Sequence, residues 1–388
     1  MKKVWPFSFY FWQYAGVAFM APFVVLYYQN LGFNGGQIGF LAGLAPLVTL
    51  FSAPLWTGLA DATRQHRFIM TVTLLGGSLT IFAYPFLTTF VPVLLLVVLS
   101  NMFLAPVSSL ADNATMSLLA DEKDFYGRLR LGGTFGFAIA APIAGQFVQS
   151  WGLKMAFWGC ALLYLLALLT GQKFVRETGK VVSSAKVSLG SASRVLMANP
   201  RMLLFLVGAL GGGFAMAMTN NYFFPYMKEL GAKESTMGLA LTLGTVCEVP
   251  IMFFGHRLLR YFKAYRLFIL ALVVTGIRLL LLSIAVNPTQ ALIIQLSNGL
   301  CFPAMWMAGV SYVDENAPAG MSATAQGIFG AAVFGVGTAL GGFIGGALLE
   351  SIGARGMCLV FGTVTMLIVA AILLIGRFLP AAQPQPAV

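Results

Sequence analysis

The chain has 388 residues, of which 59% are hydrophobic and only 9% charged, with a mean hydropathy of +0.86. Soluble domains carry about 25% charged residues, so a water-facing surface is excluded and the bilayer is the solvent that suits this composition. The formal net charge of +11 follows from basic residues gathering on one side of a membrane; there is no separate basic domain or motif for nucleic acid.

Long unbroken apolar runs, such as 203–217 and 268–277, point to helices rather than to the short alternating strands of a barrel. In chain order the sequence predicts twelve membrane helices at 5–30, 37–59, 68–88, 92–119, 130–149, 154–172, 202–226, 235–255, 267–286, 290–313, 321–349 and 354–377. The first is read as a retained helix and not a cleaved signal, because no small-residue cleavage site ends it. Pro22, Pro54, Pro106, Pro142, Pro225, Pro250 and Pro303 fall inside spans and predict kinks. The four cysteines sit singly in apolar runs, at no metal or redox spacing.

With the N-terminus inside, eighteen of the 23 Lys and Arg residues fall in inside segments and four in outside segments. That bias predicts a multi-pass bacterial inner-membrane protein with both termini cytoplasmic. The longest polar stretch, 173–200, divides the chain. The expected organisation is a six-helix bundle over 1–172, a cytoplasmic linker over 173–200, a second six-helix bundle over 201–377 and a cytoplasmic tail over 378–388. Weak internal repeats agree: Leu31-Gly32 echoes Leu230-Gly231, and Gly145 with Gly152 echoes Gly346 with Gly353, at offsets of 199 and 201. Parallel halves of this kind place a solute site at their interface.

No nucleophile elbow, Walker loop, dinucleotide fingerprint or zinc-protease helix is present, and His66 and His256 read as solvated loop residues. The expectation is a protein without enzymatic activity, metal or cofactor. The informative residues are charges inside spans, which are expensive unless paired or wet. These are Asp112 in span four, Arg130 entering span five, Glu248 in span eight and Arg278 in span nine. Hairpin geometry lets Asp112 approach Arg130 and Glu248 face Arg278. Both pairs read either as static packing pairs or as a carboxylate that takes up a proton beside a tuning arginine. Polar residues gather in the same helices: Gln13 with Tyr10 and Tyr14, Asn113 with Asn101, Asn220 and Asn221, and Asn298 with Gln295. Trp306 lies at depth rather than in the interfacial belt and suggests a ring platform for a ligand.

Twelve spans, a duplicated half and a central basic loop resemble the major facilitator superfamily. The fragment Pro54-Leu-Trp-Thr-Gly-Leu-Ala-Asp61, followed by Arg64 and Arg67, resembles its cytoplasmic gate motif, with Thr57 in place of the usual glycine and Ala62 breaking the acidic–basic dipeptide. Tyr126-Gly-Arg-Leu-Arg-Leu-Gly132 resembles the start of helix five in the phenylpropionate permease and lactose permease group of proton symporters. That resemblance implies substrate contacts for Asp112 and Arg130, and proton coupling and binding for Glu248 and Arg278. The chain departs from the group at Asn298 and Cys301, where a histidine and a glutamate are usual, and at Phe137, where a tryptophan stacks on sugar. Glu248 or Asp112 would then carry the proton.

The combined reading is an all-α membrane protein of the major facilitator fold. It is expected to act as a monomeric proton-coupled symporter for a small organic solute: an aromatic carboxylate, sugar or nucleoside. Gln13, Asp112, Asn113, Arg130, Glu248, Asn298 and Trp306 are the expected binding residues. Asp112, Glu248 and Arg278 are the coupling residues, and Asp61, Arg64 and Arg67 the gate. Proton-driven efflux of amphiphilic compounds and a non-transporting receptor or scaffold are the alternatives.

Overall fold

A computed structural model describes residues 3–119, 122, 125–175, 199–317 and 321–379. Most of the expected linker 173–200 and of the tail 378–388 lies outside the described residues. Within them the chain is helical and strand-free, as it must be where no water is present to satisfy open backbone groups.

The spanning helices are α1 (Val4–Asn30), α2 (Gly35–Thr63), α3 (His66–Phe86), α4 (Phe90–Leu119), α5 (Tyr126–Trp151), α6 (Lys154–Gly171), α7 (Pro200–Glu229), α8 (Glu234–Phe262), α9 (Ala264–Ile284) and α10 (Pro288–Asn316), then one run, Thr324–Phe378. That last run contains Gly353 at φ 72° and ψ 174°, outside helical geometry, which divides it into α11 (324–352) and α12 (354–378). Twelve passes result, and they return the chain to the side on which it began. The end carrying Val4 and Phe378 is called the termini end, and the opposite end the far end. α2 and α8 have 29 residues each, about 44 Å at 1.5 Å per residue. They therefore project beyond a hydrocarbon layer about 30 Å thick, which is why α8 continues past the predicted limit of 255.

Four of the seven expected proline kinks coincide with real interruptions. A 3-10 turn at Ala21–Phe23 surrounds Pro22, and α4 breaks at Pro106 between Leu104 and Val107. A π turn at Met218–Tyr222 precedes Pro225, and a 3-10 turn at Leu296–Leu300 precedes Pro303. Each proline lacks an N–H and crowds the carbonyl four residues earlier, and the local change of helix type relieves both. At Pro54, Pro142 and Pro250 the helix runs on without a change of type. A further π turn, Ala331–Gly337 in α11, contains no proline.

Among the described residues six have positive φ: Gly32, Arg64, Gly152, Gly231, Lys263 and Gly353. They form three pairs separated by 199, 199 and 201 residues. The duplicated unit thus repeats its backbone exceptions as well as its hydropathy. Side-chain bonds repeat too: Tyr27 donates to the carbonyl of Tyr84 at 3.0 Å, and Tyr226 to that of Leu282 at 2.7 Å.

Within the first six helices α1 packs on α5 and α6, and α3 on α4 and α6; within the last six, α7 and α9 pack on the 338–378 segment. Between the two sets, α2 packs on α11 and α5 on α8. Glycine makes both crossings close. A Cβ on Gly39 would stand 2.7 Å from the carbonyl oxygen of Phe343, and one on Gly238 would stand 2.4 Å from that of Ala141. One buried core runs from the first six helices into the far ends of α7, α8 and α9, with Phe23 and Phe224 edge to face at 4.7 Å. A second core, around Phe205, Phe268 and Phe329, belongs to the termini end of the last six helices alone. Many large apolar side chains face outward, Phe253 at 79% and Phe51 at 69% exposure among them, as a lipid-facing surface requires.

Candidate functional site

Two polar clusters lie within the spanning helices, one on each set of six. The first is built by α1, α4 and α5. Asp112 stands seven residues before the end of α4, and Arg130 is the fifth residue of α5. Their side chains meet across the hairpin, with Arg130 Nη1 3.5 Å from Asp112 Oδ1, each about one-third exposed. Tyr10 donates to Asp112 Oδ1 at 2.6 Å and lies 3.2 Å from the Thr115 hydroxyl. Arg130 Nη2 donates to the Tyr14 hydroxyl at 2.7 Å. Its guanidinium lies 5.0 Å from the ring centre of Tyr10 and 5.2 Å from that of Tyr14, a cation–π arrangement. Gln13, one turn along, donates to Ser108 Oγ at 2.8 Å and leaves its own carbonyl oxygen, Oε1, buried without a partner. Tyr10, Gln13 and Tyr14 share one face because helical residues three and four apart are neighbours.

The second cluster is built by α7, α8, α9 and α10. Arg278 is 2% exposed and donates to Gln295 Oε1 at 2.5 Å and to the Thr219 hydroxyl at 3.1 Å. Glu248, at the middle of α8, accepts from Asn298 Nδ2 at 2.9 Å. Glu248 and Arg278, expected to face each other, make no ion pair within 4 Å among the described residues. Gln295 and Asn298, adjacent on α10, each take one of the two charged groups. Gly244 makes this possible, since a Cβ there would stand 2.8 Å from Gln295 Nε2.

The other expected residues divide. Asn113 is exposed beside Asp112. Trp306 is half-buried and stacks on Phe329 at 5.1 Å and 27°, with Phe302 and Phe334 around it, so its ring is part of an aromatic packing cluster. The gate residues do not converge. Asp61 Oδ1 lies 3.0 Å from Nε2 of His66, Arg67 donates to Gln172 at 2.6 Å, and Arg64 ends α2 in the left-handed conformation. His66 is thus the partner of the motif carboxylate rather than a solvated loop residue. Ser108, Thr115 and Thr219 were not singled out by sequence, while Tyr10, Tyr14 and Gln295 were grouped with the site without a role. A tyrosine one or two turns from a polar residue on an otherwise apolar helix was the available signal.

The two sets of helices meet at the far end and separate toward the termini end. α2 packs along 331–349 of α11, and α5 meets α8 at Gly145 with Glu234, at Ala141 with Gly238 and, through a 3.0 Å bond from Thr242 to the Ala138 carbonyl, at mid-helix. The termini-end segments Val107–Leu119 and Phe302–Asn316 pack on helices of their own set. Each cluster thus lies on its own set of helices, and α2–α11 and α5–α8 join the two sets toward the far end. Asp112 and Arg130, each about one-third exposed, lie in helices whose most apolar 18-residue stretches have mean hydropathies of 2.3 and 1.4, where charge is costly unless paired or wet.

This fold and these embedded charges can be set beside known proteins. The family model described as MFS_1 like family matches residues 5–361. The chain belongs to that family. The maltose permease of Geobacillus stearothermophilus is 27% identical over 95% of this chain and 94% of its own length. An uncharacterized transporter of Bacillus subtilis (strain 168), YwbF, is 24% identical over 92% of this chain and 90% of its own. Among solved structures, a mutant of the nucleoside transporter NupG superposes with a TM-score of 0.88 at 18% identity, covering 96% of this chain and 99% of that one; at that identity the likeness speaks for the fold. A member of this MFS family is a multi-span membrane transporter, and its substrates are small molecules.

Proposed function

We propose that this transporter is a proton-coupled symporter that imports a neutral, hydroxyl-rich solute of the sugar or nucleoside class. It acts as a monomer by alternating access, with its termini in the cytoplasm and with no metal or cofactor. The observation that carries this reading is the Asp112–Arg130 pair, each member about one-third exposed, 3.5 Å apart and bracketed by Tyr10 and Tyr14. An acid and a base side by side offer acceptors and donors to hydroxyl groups, and the tyrosine rings offer apolar faces. An aromatic carboxylate is the weaker candidate, since Arg130 already has its counter-charge and Arg278 is buried behind Gln295 and Thr219. The names of the maltose permease and of NupG support the same solute classes.

Glu248 is the proton carrier in this reading. Asp112 has a cation and a tyrosine hydroxyl to hold its charge, whereas Glu248 has one neutral amide donor and no cation within ion-pair distance among the described residues. Binding a proton there removes an intramembrane charge without breaking an ion pair. The resemblance to the lactose permease group supports the proton as coupling ion. With the termini end cytoplasmic, the far-end closure corresponds to an inward-facing state. In proteoliposomes under an imposed pH gradient, Glu248→Gln is expected to lose solute accumulation while retaining counterflow exchange. Undiminished accumulation by that variant would remove Glu248 from coupling, and solute leaving toward the acidic side would turn the reading to efflux.

A further inference from the structure

The far-end closure contains two hydrogen bonds that are related by the internal repeat. Glu350, near the end of α11, accepts through Oε2 from the backbone N–H of Gly35, the first residue of α2, at 2.8 Å. Gln149, near the end of α5, accepts through Oε1 from the backbone N–H of Ser235, in the first turn of α8, at 3.3 Å. The two acceptors are 201 residues apart, as are Gly152 and Gly353, and the two donors 200, so Ser235 stands one residue further into its helix than Gly35 does. Each bond joins the first six helices to the last six, and each satisfies an N–H that its own helix leaves without a partner.

The N–H groups of Asn34 and Gln37 at the α2 start are capped locally. Asn34 and Gln37 form a reciprocal capping box, with bonds of 2.8 and 3.1 Å. The cap on Gly35 comes from the opposite set. A Cβ on Gly35 would stand 2.5 Å from the Glu350 Cβ and 2.3 Å from the Gly346 carbonyl, so glycine is what lets the carboxylate reach the backbone. The repeat-related acceptor is uncharged. A carboxylate at a helix N-terminus gains from the helix dipole and from a charge-assisted bond, and an amide gains only the bond.

The geometry points to Glu350 and Gln149 as paired latches of the far end, with Glu350 the stronger, setting the ratio of far-end-closed to far-end-open molecules. Opening the far end must part α2 from α11 and α5 from α8, and so must break both bonds, whereas the Asn34–Gln37 box moves with α2 and stays intact. The latch rests on the alternating-access reading but not on any substrate or on Glu248.

The test uses the full chain in a bilayer, with its native cysteines replaced and spin labels on Thr88→Cys and Thr289→Cys. These two positions are exposed at the far end and repeat-related, 201 residues apart. Pulsed electron-spin distance measurements then give the far-end-closed and far-end-open fractions without ligand. Relative to the parent, Glu350→Ala is expected to raise the open-to-closed ratio about fivefold and Glu350→Gln about twofold, while Gln149→Glu lowers it about twofold. If the alanine variant fails to fold, the other two decide. Unchanged ratios in Glu350→Gln and Gln149→Glu, with two distances still seen, would overturn the latch alone. A single distance in every variant, with and without added sugars and nucleosides, would overturn alternation and the latch together.

Discussion

Asp112 keeps its place in an apolar helix by gathering partners from two others: the Tyr10 hydroxyl from α1 and the Arg130 guanidinium from α5. Removing the hydroxyl in Tyr10→Phe deletes a bond to a charged acceptor, worth about 1.5–3 kcal/mol, and leaves the ring beneath Arg130 in place. The expected result is a half-saturation concentration for uptake at least about tenfold higher, with a lower melting temperature as well. Asp112→Asn should be more severe, abolishing uptake, because Arg130 is left without its counter-charge. Equal uptake by both variants and the parent would place the solute elsewhere. The charged members of this site are legible in the sequence because charge in a spanning helix is too costly to be incidental. The hydroxyl members are not, because a helical Thr or Ser satisfies itself on its own backbone. Thr115 bonds the Ala111 carbonyl at 2.7 Å, as Thr275 bonds that of Ala271 at 2.8 Å, and only Thr115 also meets Tyr10. Nor does the sequence show that Gln295 takes the Arg278 guanidinium while Asn298 takes the Glu248 carboxylate.

At the scale of the helix, existence and extent follow from hydropathy and length, and the predicted spans match the observed helices to within a few residues, with the termini-end extension of α8 as the exception. Interruptions are less legible. Proline marks four of them, yet α2, α5 and α8 accommodate Pro54, Pro142 and Pro250, and the π turn of α11 has no proline at all. Whether a freed carbonyl finds another donor depends on the neighbouring helix, which a single segment does not reveal. Glycine has the same ambiguity, and α5 shows it within one helix. A Cβ on Gly136 would stand 2.1 Å from the Phe11 carbonyl oxygen of α1, while nothing lies within 4 Å of one on Gly127. Gly136→Ala must push α1 from α5, with an overpacking penalty of about 1–3 kcal/mol, and should lower the melting temperature in detergent. Gly127→Ala should leave it unchanged or slightly higher, by helix propensity. Equal effects of the two would mean that the α1–α5 approach is not a determinant of stability.

For the molecule as a whole, the duplication is legible as two weak sequence echoes and is reinforced by the paired positive-φ residues and the paired tyrosine bonds. Which end is closed is not legible, because a protein that alternates must accommodate both arrangements with one sequence. The closed end is nonetheless held by features that a substitution can defeat. Gly39 and Gly43 of α2 face Gly342, Phe343 and Gly346 of α11 with no room for a Cβ. The cores of the two sets are continuous there and separate at the termini end. A large ring at this crossing has no space in the far-end-closed arrangement but has space once α2 and α11 part. Gly39→Trp should therefore shift the population toward far-end-open molecules without unfolding either set of six, since Gly39 meets residues of the other set rather than of its own. With the termini cytoplasmic, the variant should bind solute from outside while turning over slowly, because its return to the closed state is blocked. Accessibility of Asp112 from each side reads this directly: in an Asp112→Cys background, labelling by a membrane-impermeant thiol reagent should move from the termini side to the far side when Gly39→Trp is added. Labelling that stays on the termini side would mean that the α2–α11 crossing yields locally and that the two sets do not rock as units about the site.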